Sequence, residues 1–283
     1  MNHYLKQLKT AYESGNTINK LIYWNIAIAV VTFILSAFFK NVYFDFINIF
    51  SLNSQFSVAV TKIWSFFTYS FIHAGLIHLI FNMIMLFYLG QLFTTFFTQI
   101  QLLGVYIVGA VFSGLFYVAI AAFFPLGGNV VGASGAIMAL LFAVTAYAPY
   151  MNVRLMLIGN VKIWHIAVVF IFLDVVQIPF GNAGGHITHL GGALFGALYI
   201  LLLKKGVDLS SFIIFFQKLF KRQKNQKKHF KNVYKNTTAT NSSVSNNKDQ
   251  VQKRIDEILD KIKKSGYESL SKEEKAFLFQ QKE

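Results

Sequence analysis

Six apolar segments make up most of the chain between residues 21 and 203, and they carry almost no charge. They cover residues 21–39, 75–97, 102–124, 133–148, 162–178 and 187–203. A helix of about 20 apolar residues crosses the hydrocarbon of a bilayer, and lipid favours helices because their backbone polar groups bond within the segment. Charged residues are only 13% of the chain, far fewer than in a soluble domain. We therefore predict an all-α fold, a polytopic membrane bundle of six helices.

The two ends of the chain differ in composition from this membrane domain. Residues 1–20 are polar, and residues 204–247 hold a basic run followed by a low-complexity linker of Asn, Ser and Thr. Residues 248–283 have the apolar period of a small helical unit, in which Ser271 and Glu274 form a capping-box pattern. The two short helices could pack together, and because they bury little surface alone, contact with the membrane or with a partner that the sequence does not identify is the alternative.

The distribution of Lys and Arg predicts the orientation in the membrane. The net charge is +14, most of it after residue 203, and basic residues favour the cytoplasmic side. With six spans both termini share a side, and that side also receives Arg154 and Lys162, whereas the other side receives only Lys40 and Lys62. We predict a multi-pass membrane protein with both termini in the cytoplasm; its assignment to a bacterial inner membrane rests on the family resemblance given below. The basic run at 221–228 then meets anionic lipid of the inner leaflet, which explains it better than nucleic acid does.

Polar residues are rare within the spans, and three groups of them fall at one predicted depth. Spans two, four and six run in the same direction. His78 and Asn82 lie near the start of span two, Ser134 opens span four, and His189 lies in the first turn of span six. Ionisable residues inside spans are candidates for function by default.

Ser134 is the candidate nucleophile. Gly132 and Gly135 allow a close backbone approach, and a serine at a helix N-terminus has free N–H groups beside it that favour developing negative charge. The alternative is that this cluster of small residues only lets helices pack tightly in lipid.

His189 is the candidate base. Gly192 and Gly196 on the same span lack side chains, which would let span six approach span four. A neutral imidazole can accept the serine proton, although a structural histidine bonded to a carbonyl is the alternative. His186 ranks second because of its glycine-rich setting. Asp174, the only acid within the spans, could complete a Ser-His-Asp set, but its position near the end of span five favours a hydrated or polar-paired bystander.

His78 and Asn82 are four residues apart and share one helix face. Their N–H groups could hold an oxyanion, or they could form hydrogen bonds between spans. A zinc site of His73, His78, His186 and His189 is a further alternative. It is disfavoured because the sequence has no HExxH and no carboxylate close to these histidines.

The spacing of these residues resembles the rhomboid family of intramembrane serine proteases over residues 21–203. The resemblance rests on His73-x4-His78-x3-Asn82, on the GASG motif that contains Ser134, and on the HLGG motif of His189 with Gly192 and Gly196. It implies a Ser134–His189 dyad without cofactor or metal, and an oxyanion hole of His78, Asn82 and the Ser134 N–H.

The resemblance also implies the substrate, a single-span membrane protein that reaches the site near span five and the loop 179–185. Two alternatives stay open. A catalytically silent protein of the same fold would bind clients without cutting them. A transporter would have polar residues at several depths.

Overall fold

The computed structural model describes residues 7, 10, 12–124, 126–155, 158–220 and 246–280. Its helices are α1 (Thr17–Phe38), α2 (Lys40–Phe50), α3 (Phe56–Thr61), α4 (Ser65–Thr68), α5 (Leu76–Thr94), α6 (Gln99–Ala121), α7 (Ser134–Tyr147), α8 (Ile163–Gln177), α9 (Ala183–Lys204), α10 (Ser211–Phe220), α11 (Asn246–Ser265) and α12 (Lys272–Gln280). Short 3-10 turns follow α4, α8 and α11. Two antiparallel strand pairs join β1 (Leu52–Asn53) to β2 (Asn129–Val130), and β3 (Asn152–Leu155) to β4 (Gly159–Lys162).

The predicted helical membrane bundle is confirmed. Five of the described helices are long and apolar enough to cross a membrane, namely α1, α5, α6, α8 with its 3-10 turn, and α9. The sixth apolar helix, α7, has only 14 residues. It packs against α5, α6 and α9, and most of its residues are buried. Because α7 contacts protein more than lipid, its length does not have to match the thickness of the bilayer.

The segment between α1 and α5 forms short helices. The indole N–H of Trp64 donates to the Ile49 carbonyl at 2.9 Å. The buried Tyr69 donates its hydroxyl to the Ala110 carbonyl of α6 at 2.8 Å. The Tyr69 carbonyl in turn accepts the backbone N–H of Gly132 at 2.9 Å. This segment therefore holds the chain just before α7 in place.

Two features of the membrane domain differ from the expectation. Residues 150–161, predicted as a simple link, contain the β3–β4 hairpin; the alternating polar and apolar residues of β3 favour a strand. Residues 204–220, predicted as the start of a linker, include α10. The basic run at 221–228 and the low-complexity residues up to 245 lie outside the described residues.

The C-terminal unit consists of α11 and α12, as predicted. Gly266 ends α11 with a φ of +78°, a conformation that glycine adopts without steric cost. Glu274 N–H donates to the Ser271 hydroxyl at 3.2 Å, and Ser271 N–H donates to the Glu274 carboxylate at 2.7 Å. The capping box therefore forms. Lys261 on α11 pairs with the same carboxylate at 2.9 Å and joins the two helices.

Candidate active site

Ser134 is the first residue of α7, where the helix begins without a capping side chain. The helical ladder starts with Ile137 N–H donating to the Ala133 carbonyl at 3.0 Å, so the N–H groups of the first turn have no partner within the helix. Gly132, two residues earlier, has a φ of +129°, which disfavours any residue with a Cβ. The backbone therefore places the Ser134 hydroxyl beside unpaired donors, as the sequence predicts.

His78 of α5 and Ser134 of α7 flank the same glycine. A carbon atom at the Cβ position of Gly132 would lie 2.9 Å from Cε1 and 3.1 Å from Nε2 of His78, and 3.6 Å from the Ser134 hydroxyl oxygen. The structure thus brings together the predicted nucleophile and the Nε2 side of a predicted oxyanion donor. Any side chain at residue 132 would fill the space between them.

The helices α7 and α9 approach backbone to backbone, and two glycines allow it. A Cβ on Gly192 would lie 2.0 Å from the carbonyl oxygen of Gly135, and a Cβ on Gly196 would lie 2.3 Å from that of Ala139. A Cβ on Gly135 would meet the Thr188 methyl group at 2.9 Å. The predicted supporting glycines therefore lie at the closest contact between the helices that carry Ser134 and His189.

The position of Asp174 corrects one expectation. The residue is 5% exposed, so the hydrated alternative is wrong. Its Oδ1 lies 2.8 Å from Nδ1 of His189 and 2.8 Å from Nδ1 of His186. The acid is therefore paired, and one of its partners is the predicted base. The sequence marked Asp174 as a candidate because it is the only acid within the spans. Residue spacing could not show that Asp174 on α8 faces α9.

The Ser134–His189 contact itself stays a prediction. Within the part of the chain described above, the Ser134 hydroxyl and the His189 ring are not hydrogen bonded to each other. Catalytic hydrogen bonds are often long in an enzyme without substrate, so the geometry is compatible with a dyad.

Asn82 is buried, with 3% exposure, but its amide is partly engaged. Nδ2 donates to the His78 carbonyl of its own helix at 2.8 Å. An amide nitrogen has two donors, so one N–H is left for a ligand. Asn82 thus offers a single oxyanion donor rather than two.

His73 is buried in the connection between α4 and α5, and its ring centroid lies 5.3 Å from that of His78. Burial lowers the pKa of His73 to about 4; the neighbouring His78 adds to the fall, and the backbone of Phe71 opposes it. A ring that stays neutral at pH 7 and is buried in this connection fits a structural role.

The four-histidine zinc alternative does not match the geometry. Asp174, His186 and His189 have ligand atoms within 4.8 Å of one another. Among the described residues His73 and His78 do not join this group. The fold brings the Asp174 carboxylate to His186 and His189, from which it is separated by 12 and 15 residues in the sequence. Its 2.8 Å distances to the two Nδ1 atoms are those of hydrogen bonds.

Two family models match the chain. One is described as a rhomboid domain and matches residues 60–206; the other is described as a family of unknown function, DUF6576, and matches residues 241–280. The chain is also similar to presenilin-associated rhomboid-like protein A, mitochondrial, from Danio rerio, with 33% identity over 135 residues. That alignment covers 46% of this chain and 35% of the relative, so the chain spans about a third of the relative's length.

Proposed function

Because the chain belongs to the rhomboid family, whose model covers residues 60–206 of 283, we propose that it is an intramembrane serine endopeptidase. Its substrates are single-span membrane proteins. The observation that carries the proposal is the position of Ser134 at the start of α7. The Nε2 side of His78 on α5 lies across Gly132 from it, and α9, which bears His189, packs backbone to backbone against α7 at Gly135.

In the proposed reaction the Ser134 oxygen attacks the carbonyl carbon of the scissile peptide bond. Nε2 of His189 takes the hydroxyl proton, and the carbonyl oxygen becomes an oxyanion. The Ser134 N–H, His78 and the free N–H of Asn82 donate hydrogen bonds to that oxygen. The C–N bond then breaks, and His189 gives its proton to the leaving amine. Water hydrolyses the acyl-enzyme by the same steps.

The substrate reaches the site beside α8. Three residues of α8 are buried, namely Ile163, Ala167 and Asp174, so most of the helix is open to lipid or to another helix. The loop after it bends at Gly181, with a φ of +129°, and Asn182, with a φ of +50°. A substrate helix must unwind before its peptide bond meets Ser134, so residues that break helices near the cleaved bond favour cleavage.

The chain is a multi-pass membrane protein, and its orientation and compartment belong to the proposal. An even number of spans places both termini on one side, and the Lys and Arg distribution favours the cytoplasm. We propose the bacterial inner membrane because the C-terminal helical unit resembles an extension of some bacterial rhomboids; the relative is mitochondrial by its name. Binding of the basic run at 221–228 to anionic lipid, and of the C-terminal unit to a partner, are likewise proposals.

A catalytically silent client-binding protein is the second candidate, since the rhomboid family includes inactive members. It is favoured by the absence of a Ser134–His189 hydrogen bond within the described residues. Both functions predict that the protein binds its substrates, but only the endopeptidase cleaves them.

The deciding experiment uses the purified full chain in lipid vesicles. A fluorophosphonate should label the native protein and not Ser134→Ala, and a single-span test substrate should be cleaved by the native protein alone. His189→Ala should abolish cleavage with unchanged expression. Ser113→Ala is the matched control, because this buried hydroxyl bonds only within its own helix, to the Gly109 carbonyl. A native protein that binds the substrate without labelling or cleavage establishes the silent alternative.

A further inference from the structure

One buried carboxylate oxygen binds two histidines of the neighbouring helix. His186 and His189 lie three residues apart on α9, so their side chains share a face. Both Nδ1 atoms lie 2.8 Å from Oδ1 of Asp174 on α8. The side chains of His186 and His189 are 13% and 23% exposed, and that of Asp174 is 7% exposed.

The shared oxygen determines which nitrogen of His189 carries a proton. An ionised carboxylate can only accept hydrogen bonds, so each of the two Nδ1 atoms must be the donor. Neutral His189 then has its lone pair on Nε2, the nitrogen on the far side of the ring from Asp174. That tautomer is the one that can accept a proton from Ser134. Without the carboxylate, the ring would be free to take either tautomer and to rotate.

Asp174 is costly as a merely structural group. Its second oxygen, Oδ2, is buried and has no hydrogen-bond partner among the described residues. A buried carboxylate with an unpaired oxygen is unfavourable compared with a neutral side chain. The charge becomes favourable when a positive charge develops beside it, which happens on His189 when the ring takes the Ser134 proton.

We propose that Asp174 is a positioning residue, which fixes the tautomer of His189 and stabilises its protonated form. The proton of Ser134 moves to Nε2 of His189 and later to the leaving amine; Asp174 stays ionised throughout. His186 holds the carboxylate in place through the second hydrogen bond to Oδ1. This inference rests on the proposed function, and it replaces a two-residue mechanism by three groups that act as a unit.

The test compares Asp174→Asn with the native chain in lipid vesicles, using a single-span test substrate. We expect kcat to fall at least 100-fold, towards the loss of about 10⁴-fold found when the acid of a serine triad is amidated, while KM changes less than threefold. Asp208→Asn is the matched control: Asp208 also accepts side-chain hydrogen bonds, from Gln101 and Tyr199, but lies after the opposite end of α9. It should keep kcat within threefold.

A chemical rescue separates a role of the carboxylate from a role in packing. Formate, the smallest carboxylate, should restore part of the kcat of Asp174→Ala and none of that of Ser134→Ala. A folded Asp174→Asn protein that keeps more than a tenth of the native kcat overturns the inference. So does a loss that appears in KM alone.

A measurement on the native chain covers the case in which the Asp174 variants do not fold. Nitrogen-15 spectra of histidine-labelled protein report the tautomer of each ring, and His189→Gln identifies the signal of His189. A proton on Nδ1 supports the inference, and a proton on Nε2 of the neutral ring overturns it. Failure of the proposed function looks different: the native protein would then neither react with the fluorophosphonate nor cleave.

Discussion

Replacing Gly192 by alanine is expected to move α9 away from α7 and to abolish most of the activity. The added Cβ would lie 2.0 Å from the carbonyl oxygen of Gly135, and real Cβ atoms essentially never come closer than 3.0 Å to another atom. The contact therefore has to open by at least 1 Å at this point. Because the obstacle is backbone rather than the end of a flexible side chain, no local rotation can relieve it.

The consequence for activity follows from the position of Gly192. It is three residues after His189, and its neighbour across the interface, Gly135, directly follows Ser134. A displacement of 1 Å at a reacting pair costs about 100-fold in rate, which is about 2.7 kcal/mol in the activation barrier. Overpacking of this kind also costs about 1–3 kcal/mol of stability. We expect a loss of kcat of about 100-fold and a lower melting temperature.

The assay is cleavage of a single-span substrate in lipid vesicles, with melting followed on the same protein in detergent. Gly127→Ala is the control, because a Cβ there meets no atom within 4 Å. A folded Gly192→Ala protein with kcat within threefold of native would refute the reasoning that close approach of α7 and α9 aligns the dyad.

Two further predictions concern pH and metal. Because burial lowers the pKa of His73 to about 4, the unfolded chain binds a proton that the folded chain excludes, so stability should fall by about 3 kcal/mol as the pH drops from 6.5 to 4. Melting temperatures across that range should show the fall in the native protein and a smaller one in His73→Asn. Removing metal with a chelator should leave cleavage unchanged, since the serine mechanism needs none; loss on chelation and recovery with Zn²⁺ would identify Asp174, His186 and His189 as ligands instead.

The positions of the helices could be predicted because each depends on a local property. An apolar segment of about 20 residues in lipid has no stable alternative to a helix, so the bundle followed from composition and hydropathy. The shared depth of His78, Ser134 and His189 is a prediction from the count of spans. The glycines could be predicted for a similar reason, since a missing side chain has a steric meaning wherever two helices meet.

The directions of individual side chains could not be predicted, because they depend on the rotation of each helix about its own axis. Asp174 lies on a helix that is exposed on most of its surface, and its sequence position near the end of a span suggested either water or a polar neighbour as its partner. Which way it points is decided by the packing of α8 on α9, which no local pattern encodes. The amide of Asn82 is a similar case, because one of its two N–H groups donates to the His78 carbonyl and is therefore not available to a ligand.

The shortness of α7 connects the fold to the proposed hydrolysis within a membrane. A helix of 14 residues is about 21 Å long, whereas the hydrocarbon layer is about 30 Å thick. At least one end of α7 must therefore lie inside the hydrocarbon layer, and the proposed cleavage of a membrane-spanning substrate requires that end to be the one with Ser134. Its free N–H groups can be tolerated there only if protein groups, water or a substrate carbonyl satisfy them, because lipid cannot. The chain before α7 pairs its own backbone through the β1–β2 pair and the Gly132–Tyr69 hydrogen bond, and these bonds do not involve the N–H groups of the first turn. A longer α7 would place Ser134 at the membrane surface. A serine there could cut only peptide bonds outside the hydrocarbon layer, which a soluble protease can also reach.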